Sequence, residues 1–268
     1  MNLSHLAPKG GAIMDLNGHH ILITGGTTGI GLGLAKAFAA QNNQILIVDD
    51  SAEKLAQVKA QLPDVLIYQA NLSKADQRED LKYWVADNFA DIDMLINDAE
   101  IQRWVNLKNL QHDWHWYHQE LNLDFEAQIH LTMLFLPRIL KQPNGAIVTV
   151  SSGLVLNPGA WAPLYTAAKA GVHGFTQALR LQLQDTDTKV FEILPPVVNG
   201  DLEDEDARIY GADLDEFIAA VIQQFQENFP EITFDTSWDQ LRASKADNKT
   251  AAQENWDRFK DNQRFLKA

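Results

Sequence analysis

The stretch Thr24-Gly25-Gly26-Thr27-Thr28-Gly29-Ile30-Gly31-Leu32-Gly33 decides the fold of this chain. It follows an apolar run at residues 21–24, which predicts a strand, and it leads into a pattern that predicts a helix over about 29–41. Glycines let the backbone turn tightly beside a pyrophosphate, and a helix N-terminus offers unpaired N–H groups to an anion. The stretch therefore predicts a phosphate-binding turn. Its predicted cofactor contacts are Gly25, Thr27, Thr28, Gly29, Ile30 and Gly31.

Short apolar runs and longer helical patterns alternate on the C-terminal side of this turn. Strands are predicted at residues 44–48, 65–68, 94–96 and 190–194, and at a run from 146 that ends at 151 or 152. Helices are predicted over about 51–62, 74–88, 110–140, 164–184 and 213–228. This rhythm predicts a doubly wound α/β fold, with a mostly parallel sheet, helices on both faces and ligands at the carboxyl ends of the strands.

One domain is expected over residues 14–268, after an N-terminal extension at 1–13 for which Met14 is a candidate start. Within it, residues of about 200–230, which include an acidic run at 201–206, are predicted to form a substrate lid. A solvated loop is the alternative for the acidic run. The tail at about 247–268 is predicted to be helical, with Trp256, Phe259 and Phe265 packed against the body.

The composition disfavours several classes of function. A net charge of −14 disfavours nucleic acids and anionic membranes, which attract basic surfaces. The chain has no cysteine, which excludes disulfides and thiolate metal sites and is compatible with the reducing cytosol. No apolar run reaches the roughly 18 residues that a membrane span requires. We therefore predict a cytoplasmic protein that binds neither nucleic acid nor membranes.

An acidic pair at the end of the second predicted strand indicates which dinucleotide would bind. Asp49 lies 18 residues beyond Gly31, near the spacing of about 20 residues expected for the acid that binds the adenine ribose. A carboxylate there would repel a 2′-phosphate, and residues 45–53 contain no lysine or arginine. NAD(H) is therefore favoured over NADP(H). The alternative is that Asp49 or Asp50 caps the next helix.

Ser152, Tyr165 and Lys169 form the predicted catalytic set. Tyr165 and Lys169 are four residues apart, so they share one face of a helix. Ser152 ends the fifth predicted strand, and a phenol, an ammonium and a hydroxyl can meet there to move a proton on and off an alcohol oxygen. By itself, Tyr-x-x-x-Lys also occurs by chance in long helices. The glycine turn elsewhere in the chain favours the functional interpretation.

The glycine turn, Asn97-Asp98-Ala99-Glu100, Ser152 and the Tyr165/Lys169 pair resemble, in order and spacing, the motifs of the short-chain dehydrogenase/reductase family. The resemblance covers residues of about 15–202, and residues 231–233 and 241–242 resemble its DltE-type bacterial oxidoreductase branch. It implies a seven-stranded Rossmann-like sheet and nicotinamide-dependent redox chemistry on an alcohol or carbonyl. It also implies a homodimer or homotetramer, formed through the helices at 110–140 and 164–184.

The resemblance also implies roles for individual residues. Tyr165 would be the general acid/base, Lys169 would lower the pKa of Tyr165 and hold the nicotinamide ribose, and Ser152 would donate a hydrogen bond to the substrate oxygen. Further cofactor contacts are expected at Asn71, Leu72, Asn97, Ala99, Tyr165, Lys169, Pro195 and Val198.

Four positions depart from the family pattern. Glu100 replaces a glycine, Asp124 replaces the catalytic asparagine, Asn71 replaces an aspartate, and Gly200 replaces a threonine. Asp124 is still expected to bind water as a catalytic residue. The departures leave open a second hypothesis, in which the protein is a catalytically impaired, nucleotide-binding regulator or scaffold of the same fold.

The predicted substrate side is apolar. Residues 153–164 should line it and contain no base, which favours a small, uncharged carbonyl or alcohol. Trp104 and Trp161 would either stack on this substrate or pack in the protein. The histidines near residue 115 are expected on a helix surface, because a metal site requires more ligands in a defined geometry. No metal site is therefore predicted. The three histidines are His112, His115 and His118.

Overall fold

The structure is a computed structural model that describes residues 14–199 and 211–268. In these residues, seven parallel strands form one sheet. The sheet confirms the predicted doubly wound, Rossmann-like fold, and its strand order is 3-2-1-4-5-6-7. The strands are β1 (His20–Thr24), β2 (Gln44–Asp49), β3 (Leu66–Gln69), β4 (Met94–Asn97), β5 (Ala146–Val150), β6 (Lys189–Leu194) and β7 (Glu231–Thr233).

Helices cover both faces of this sheet. They are α1 (Gly29–Ala39), α2 (Ala52–Gln61), α3 (Ala75–Asn88), α4 (Trp114–Leu121), a π-helical segment (Asn122–Ala127), α5 (Gln128–Ile139), a 3-10 turn (Gly153–Val155), α6 (Pro163–Gln182), α7 (Leu214–Gln226), α8 (Thr236–Arg242), α9 (Lys245–Phe259) and α10 (Gln263–Lys267).

Alternation along the strands divides the buried side chains into two cores. On β1, Ile21 and Ile23 face a core that contains Phe38 of α1 and Phe225 of α7, whereas Leu22 faces a core formed with α3, α5 and α6. Successive side chains of a strand point to opposite faces, so strands buried on both faces are apolar without interruption. This pattern explains why short apolar runs predicted the strands.

The strand order reverses between β1 and β4, and this switch point opens a crevice at the carboxyl ends of the strands. Thr24, the last residue of β1, pairs with Asn97 of β4, and its hydroxyl accepts hydrogen bonds from the N–H groups of Asp98 and Ala99 at 3.0 and 3.1 Å. These bonds hold the start of the glycine turn beside the segment that follows β4.

The predicted long helix at 110–140 is interrupted. It begins at Trp114, after Asp113 accepts a capping bond from the Trp116 N–H, and a π-helical segment separates α4 from α5. π-helical turns widen a helix locally and occur often at functional sites. The interruption was not predicted because the apolar pattern continues through it.

The predicted lid coincides in part with a core helix. Phe217, Val221 and Phe225 of α7 are fully buried, and α7 packs against α1, so the apolar face of this helix belongs to the core. An amphipathic helix whose apolar face is already covered contributes to the core. Residues 200–210, including Gly200, and the extension at 1–13 lie outside the described residues.

Candidate active site

The glycine turn packs closely against the segment after β4. Gly25 has a φ of +69°, donates its N–H to the Val48 carbonyl at 2.9 Å, and leaves only 2.8 Å between an added Cβ and the Ala99 Cα. A Cβ on Gly31 would lie 2.5 Å from the Gly25 carbonyl oxygen. Side chains at these two positions would therefore push the turn away from its support.

An open cleft of about 250 Å³ lies above this turn. Several predicted cofactor contacts line it together, although they come from separate parts of the sequence. Thr27 joins them through a hydrogen bond to Asp49. The predicted contacts that line the cleft are Gly25, Thr28, Ile30, Asp49, Asn71, Leu72, Ala99 and Pro195.

Two predicted contacts lie elsewhere. Asn97 is fully buried beneath the cleft, where its amide donates to the Thr132 hydroxyl at 3.2 Å. Val198 packs in the core with α7 and pairs with Ala212 in an isolated bridge. Gly29 and Gly31 belong to the first turn of α1, behind the cleft lining. Sequence spacing placed all four near the site but did not distinguish supporting residues from lining residues.

Asp49 is held at the far end of the cleft. Its carboxylate accepts hydrogen bonds from the Thr27 hydroxyl at 2.5 Å and from the Ser51 N–H at 2.9 Å. Ser51 caps α2 by accepting from the Lys54 N–H, so the alternative in which Asp49 or Asp50 caps this helix is wrong. Burial, followed by the charge of Asp49, raises the pKa of Asp50.

Lys54 adds a base to this end of the cleft. Lys54 lines the cleft together with Asp49 and Asp50. In the sequence it lies one residue beyond the range 45–53, whose lack of lysine and arginine favoured NAD(H). The helical geometry of α2 brings this lysine back towards the strand ends, which linear spacing did not reveal. The charges at this end of the cleft are therefore those of Asp49, Asp50 and Lys54 together.

Ser152, Tyr165 and Lys169 form a cluster next to the cleft, whose lining reaches them at Glu100 and Val150. Lys169 is fully buried and donates to the Val150 carbonyl at 2.8 Å, and its Nζ lies 5.5 Å from the centroid of the Tyr165 ring. Ser152 follows β5, and its hydroxyl interacts with that of Tyr165. The three predicted catalytic side chains are thus brought together.

Glu100 is a fourth member of this cluster. Its Oε2 lies 2.6 Å from the Lys169 Nζ, and its two oxygens accept from the Tyr165 hydroxyl at 3.0 and 3.2 Å. Sequence analysis identified Glu100 only as a charge at a glycine position. Its contacts could have been anticipated, because the ends of β4 and β5 adjoin in a parallel sheet and α6 carries the tyrosine and lysine to the same edge.

The acids reverse the expected effect on Tyr165. Burial, followed by the negative charges of Glu100 and Asp124, raises the pKa of Tyr165 well above its usual value. Burial alone would lower the pKa of Lys169, but Glu100 and Asp124 more than offset this and raise it. The prediction that Lys169 lowers the pKa of Tyr165 is therefore wrong for this structure, because the ammonium is paired with Glu100.

Two further carboxyl groups face this cluster from α4 and the π-helical segment. Asp124 accepts from the Ile101 N–H at 2.8 Å, its Oδ2 has no hydrogen-bond partner among the described residues, and burial raises its pKa well above the usual value. Glu120 accepts from the Arg103 N–H at 3.0 Å, and burial raises its pKa to about 7. Glu120 was not predicted as part of the site.

Aromatic side chains form a cluster with Tyr165. Trp161 and Trp104 pack against Phe259 of α9, with ring centroids 4.3 and 5.5 Å apart, and Phe265 of α10 belongs to the same buried cluster. The predicted packing of Trp256, Phe259 and Phe265 against the body is confirmed. For Trp104 and Trp161, the structure favours the packing alternative.

The histidines near the site pair with aromatic rings. His112 stacks on Trp116 with centroids 3.9 Å apart, and His118 stacks on Trp114 at 5.5 Å. In residues 14–199 and 211–268, no group of three histidine, cysteine, aspartate or glutamate side chains is arranged to hold a metal ion. None of the helices in these ranges has both the length and the apolar character of a membrane span.

Comparison with known proteins adds to this geometry. Residues 19–209 match the family described as short chain dehydrogenase. The chain is 37% identical over 225 residues to the uncharacterized oxidoreductase DltE of Bacillus subtilis (strain 168), in an alignment that covers 82% of this chain and 89% of that protein.

Solved structures share the fold. A short chain dehydrogenase/reductase from Burkholderia phymatum in complex with NAD superposes with a TM-score of 0.74 at 17% identity, covering 82% of this chain and 90% of that one. The L-sorbose reductase from Gluconobacter frateurii, complexed with NADPH and L-sorbose, superposes with a TM-score of 0.72 at 18% identity, covering 83% of this chain and 97% of that one. These two neighbours hold different nicotinamide dinucleotides.

Proposed function

The chain belongs to the short chain dehydrogenase family, and we propose that it is an oxidoreductase that transfers a hydride between NAD(H) and a small, uncharged alcohol or carbonyl compound. One observation carries the proposal. A single cleft at the switch point of the sheet is lined by the glycine turn, Asp49 and Glu100, and Glu100 directly contacts Tyr165 and Lys169. Ligands of doubly wound folds bind at this location.

The residues of the cleft fit a nicotinamide dinucleotide. The Asp49 carboxylate can accept hydrogen bonds from ribose hydroxyls, the N-terminus of α1 can receive the pyrophosphate, and Lys169 can donate to the second ribose. When bound, the nicotinamide supplies the acceptor or donor of the hydride. Asp49 and Asp50 favour NAD(H), because their charges would repel a 2′-phosphate, whereas Lys54 could pair with such a phosphate. The preference for NAD(H) over NADP(H) is therefore a separate part of the proposal.

Tyr165 would exchange a proton with the substrate oxygen, while Ser152 would donate a hydrogen bond to that oxygen. The surroundings of the pair support an uncharged substrate. Tyr165 is 4% exposed and lies in a cluster with Trp161 and Phe265, where an unpaired substrate charge would be costly to bury.

The test combines binding with turnover. NADH and NADPH are titrated by fluorescence, and a panel of alcohols and ketones is then screened by nicotinamide absorbance, with Tyr165→Phe as the catalytic control. We expect tighter binding of NADH, turnover of at least one uncharged substrate, and loss of that turnover in Tyr165→Phe. Turnover that survives in Tyr165→Phe would contradict the proposed role of the tyrosine.

Glu100 supports a second candidate function. Its carboxylate contacts both Lys169 and Tyr165, the two groups that a substrate and a ribose would use. A protein in which this contact persists with the dinucleotide bound would be a catalytically impaired regulator or scaffold. Tight NADH binding without turnover across the panel would favour this candidate.

Association into a homodimer or homotetramer in the cytoplasm is also part of the proposal. Apolar side chains on the two long helical regions support it, since Phe125, Met133 and Leu181 are 37%, 64% and 69% exposed. An open groove between the π-helical segment and α6 is lined by Leu121 and Ala167. Light scattering distinguishes a monomer, a dimer and a tetramer.

A further inference from the structure

We propose that Glu100 is a further catalytic residue, which exchanges a proton with the Tyr165 hydroxyl during turnover and connects that hydroxyl to solvent. This inference rests on the proposed function. It changes the path of the proton: Tyr165 would act as a relay between the substrate oxygen and a carboxylate.

The geometry places the three groups in direct contact. Glu100 follows β4 at the edge of the cleft, with its Oε2 3.0 Å from the Tyr165 Oη and 2.6 Å from the Lys169 Nζ. A carboxylate has no proton to donate, so the tyrosine O–H donates to Glu100. Lys169 is anchored by its bond to the Val150 carbonyl and therefore holds the carboxylate in place.

Exposure distinguishes Glu100 from the groups that it contacts. The Lys169 side chain is fully buried and Tyr165 is 4% exposed, whereas the Glu100 side chain is 32% exposed and lines the open cleft. A proton on Glu100 can reach water directly. A proton on Tyr165 reaches solvent most directly through this contact.

The charges around Tyr165 favour a relay over a waiting phenolate. Burial and the carboxylates of Glu100 and Asp124 raise the pKa of Tyr165, so a waiting phenolate is disfavoured. A tyrosine that stays protonated can accept the substrate proton only if it loses its own proton in the same event. Glu100 is the carboxylate to which that proton already points.

The relay balances in both directions. In alcohol oxidation, the substrate O–H bond breaks and its proton forms a new O–H bond at the Tyr165 Oη. The original tyrosine proton moves to an Oε of Glu100 and then to water, while the electron pair of the substrate C–H bond leaves as hydride under the proposed function. The products are a carbonyl group and one proton. In carbonyl reduction, the same proton path runs from water to the substrate oxygen.

Other charged groups surround this path. Glu100 faces two groups of α6, Lys169 and Tyr165. It also faces Asp124 of the π-helical segment and Glu120 of α4. Asp98 lies two residues before Glu100 in the chain and interacts with Lys169. Burial raises the pKa of both Asp124 and Glu120, but of the three acids it is Glu100 that contacts Lys169 and Tyr165 directly.

The first experiment needs neither cofactor nor substrate. The ionisation of Tyr165 is followed by NMR of ring-labelled tyrosine in the full chain, and the signal is assigned by its loss in Tyr165→Phe. In Glu100→Gln we expect ionisation at lower pH than in the parent, because the negative charge is removed and the Lys169 ammonium is no longer paired. Glu254→Gln on α9 is exposed, changes the net charge equally, and should leave the titration unchanged. An unchanged titration in Glu100→Gln would overturn the inference.

The second experiment measures turnover with the substrate found by the panel. We expect kcat of Glu100→Gln to fall by roughly 10²–10⁴-fold, the usual contribution of an acid–base group, while NADH still binds. Glu100→Ala leaves space for a small carboxylate, so added formate should restore part of its rate and should not restore Tyr165→Phe.

The outcomes separate the relay from the proposed function. A parent that turns over, with an undiminished rate in Glu100→Gln, overturns the relay and leaves the proposed function intact. A parent that binds NADH but turns over nothing overturns both, even if the tyrosine titration shifts as expected.

Discussion

The two ends of the cleft are built in opposite ways. At the glycine turn, the architecture depends on missing side chains, since a Cβ on Gly25 or Gly31 would meet backbone atoms closer than 3.0 Å. At the catalytic end, it depends on charged and polar side chains that are held together by Glu100, which contacts both Lys169 and Tyr165. The first end is sensitive to added volume and the second to changes of charge, so different substitutions should disable each end.

The largest expected effect is on turnover at the catalytic end. Tyr165→Phe should lower kcat by roughly 10²–10⁴-fold, or about 3–5 kcal/mol of activation free energy, because the proton donor is removed while the ring still packs. Steady-state kinetics would measure this loss and urea unfolding would verify the fold. Tyr83→Phe removes a hydroxyl from a side chain that is 63% exposed and should change neither quantity. Equal losses in both variants would contradict the assigned role.

The acids of the catalytic end should make stability depend on pH. The pKa of Glu120 is about 7 in the folded protein, against an ordinary value of 4.5, so the folded state retains a proton that the unfolded state loses between these values. The free energy of unfolding should therefore fall as pH rises from about 4.5 to 7, by roughly 3 kcal/mol from this group.

Urea unfolding at several pH values would measure this dependence. Glu120→Gln should make this dependence shallower between pH 4.5 and 7, because the amide does not titrate, while the raised pKa of Asp124 leaves part of the slope. Glu254→Gln should retain the slope of the parent. A slope that is unchanged in Glu120→Gln would show that the group is ordinary in the folded protein.

Added volume should disable the glycine end. Gly31→Ala places a Cβ 2.5 Å from the Gly25 carbonyl oxygen, which should cost about 1–3 kcal/mol of stability and weaken NADH binding by displacing the turn. Gly174→Ala on α6 meets nothing within 4 Å and should stabilise by about 0.5–1 kcal/mol, since alanine favours helices. Urea unfolding and fluorescence titration of both variants provide the comparison. Destabilisation by Gly174→Ala would undermine the steric argument.

The smallest expected effect is at Asp49. Asp49→Asn removes the negative charge of a carboxylate that accepts hydrogen bonds from Thr27 and Ser51. We expect NADH to bind about tenfold more weakly. This loss corresponds to about 1.4 kcal/mol, near the lower end of the free energies typical of a hydrogen bond to a charged group. NADPH should lose less, because the repulsion of a 2′-phosphate falls at the same time. Lys54→Ala should weaken NADPH more than NADH. Fluorescence titrations with both dinucleotides measure the ratio, and an unchanged ratio in Asp49→Asn would exclude a ribose-binding role.

Features whose signals are local were predicted well. The strands were located because side chains that are buried on both faces of a parallel sheet produce uninterrupted apolar runs. The Asp213 cap of α7 is confirmed by the hydrogen bond from the Glu216 N–H. β7 was not predicted as a strand because three residues carry too little periodicity. The core role of α7 was not predicted because an amphipathic helix does not reveal which surface it covers.

By itself, the sequence determined the fold class, the glycine turn, and the tyrosine and lysine that share one helix face, because each is encoded in neighbouring residues or a fixed spacing. Only the tertiary structure decided the charge state of that pair. Glu100, Asp124 and Lys169 come from three different segments, and their interaction depends on distance and burial. Linear spacing contains neither quantity, so the lysine that was predicted to lower the pKa of Tyr165 instead forms an ion pair with Glu100.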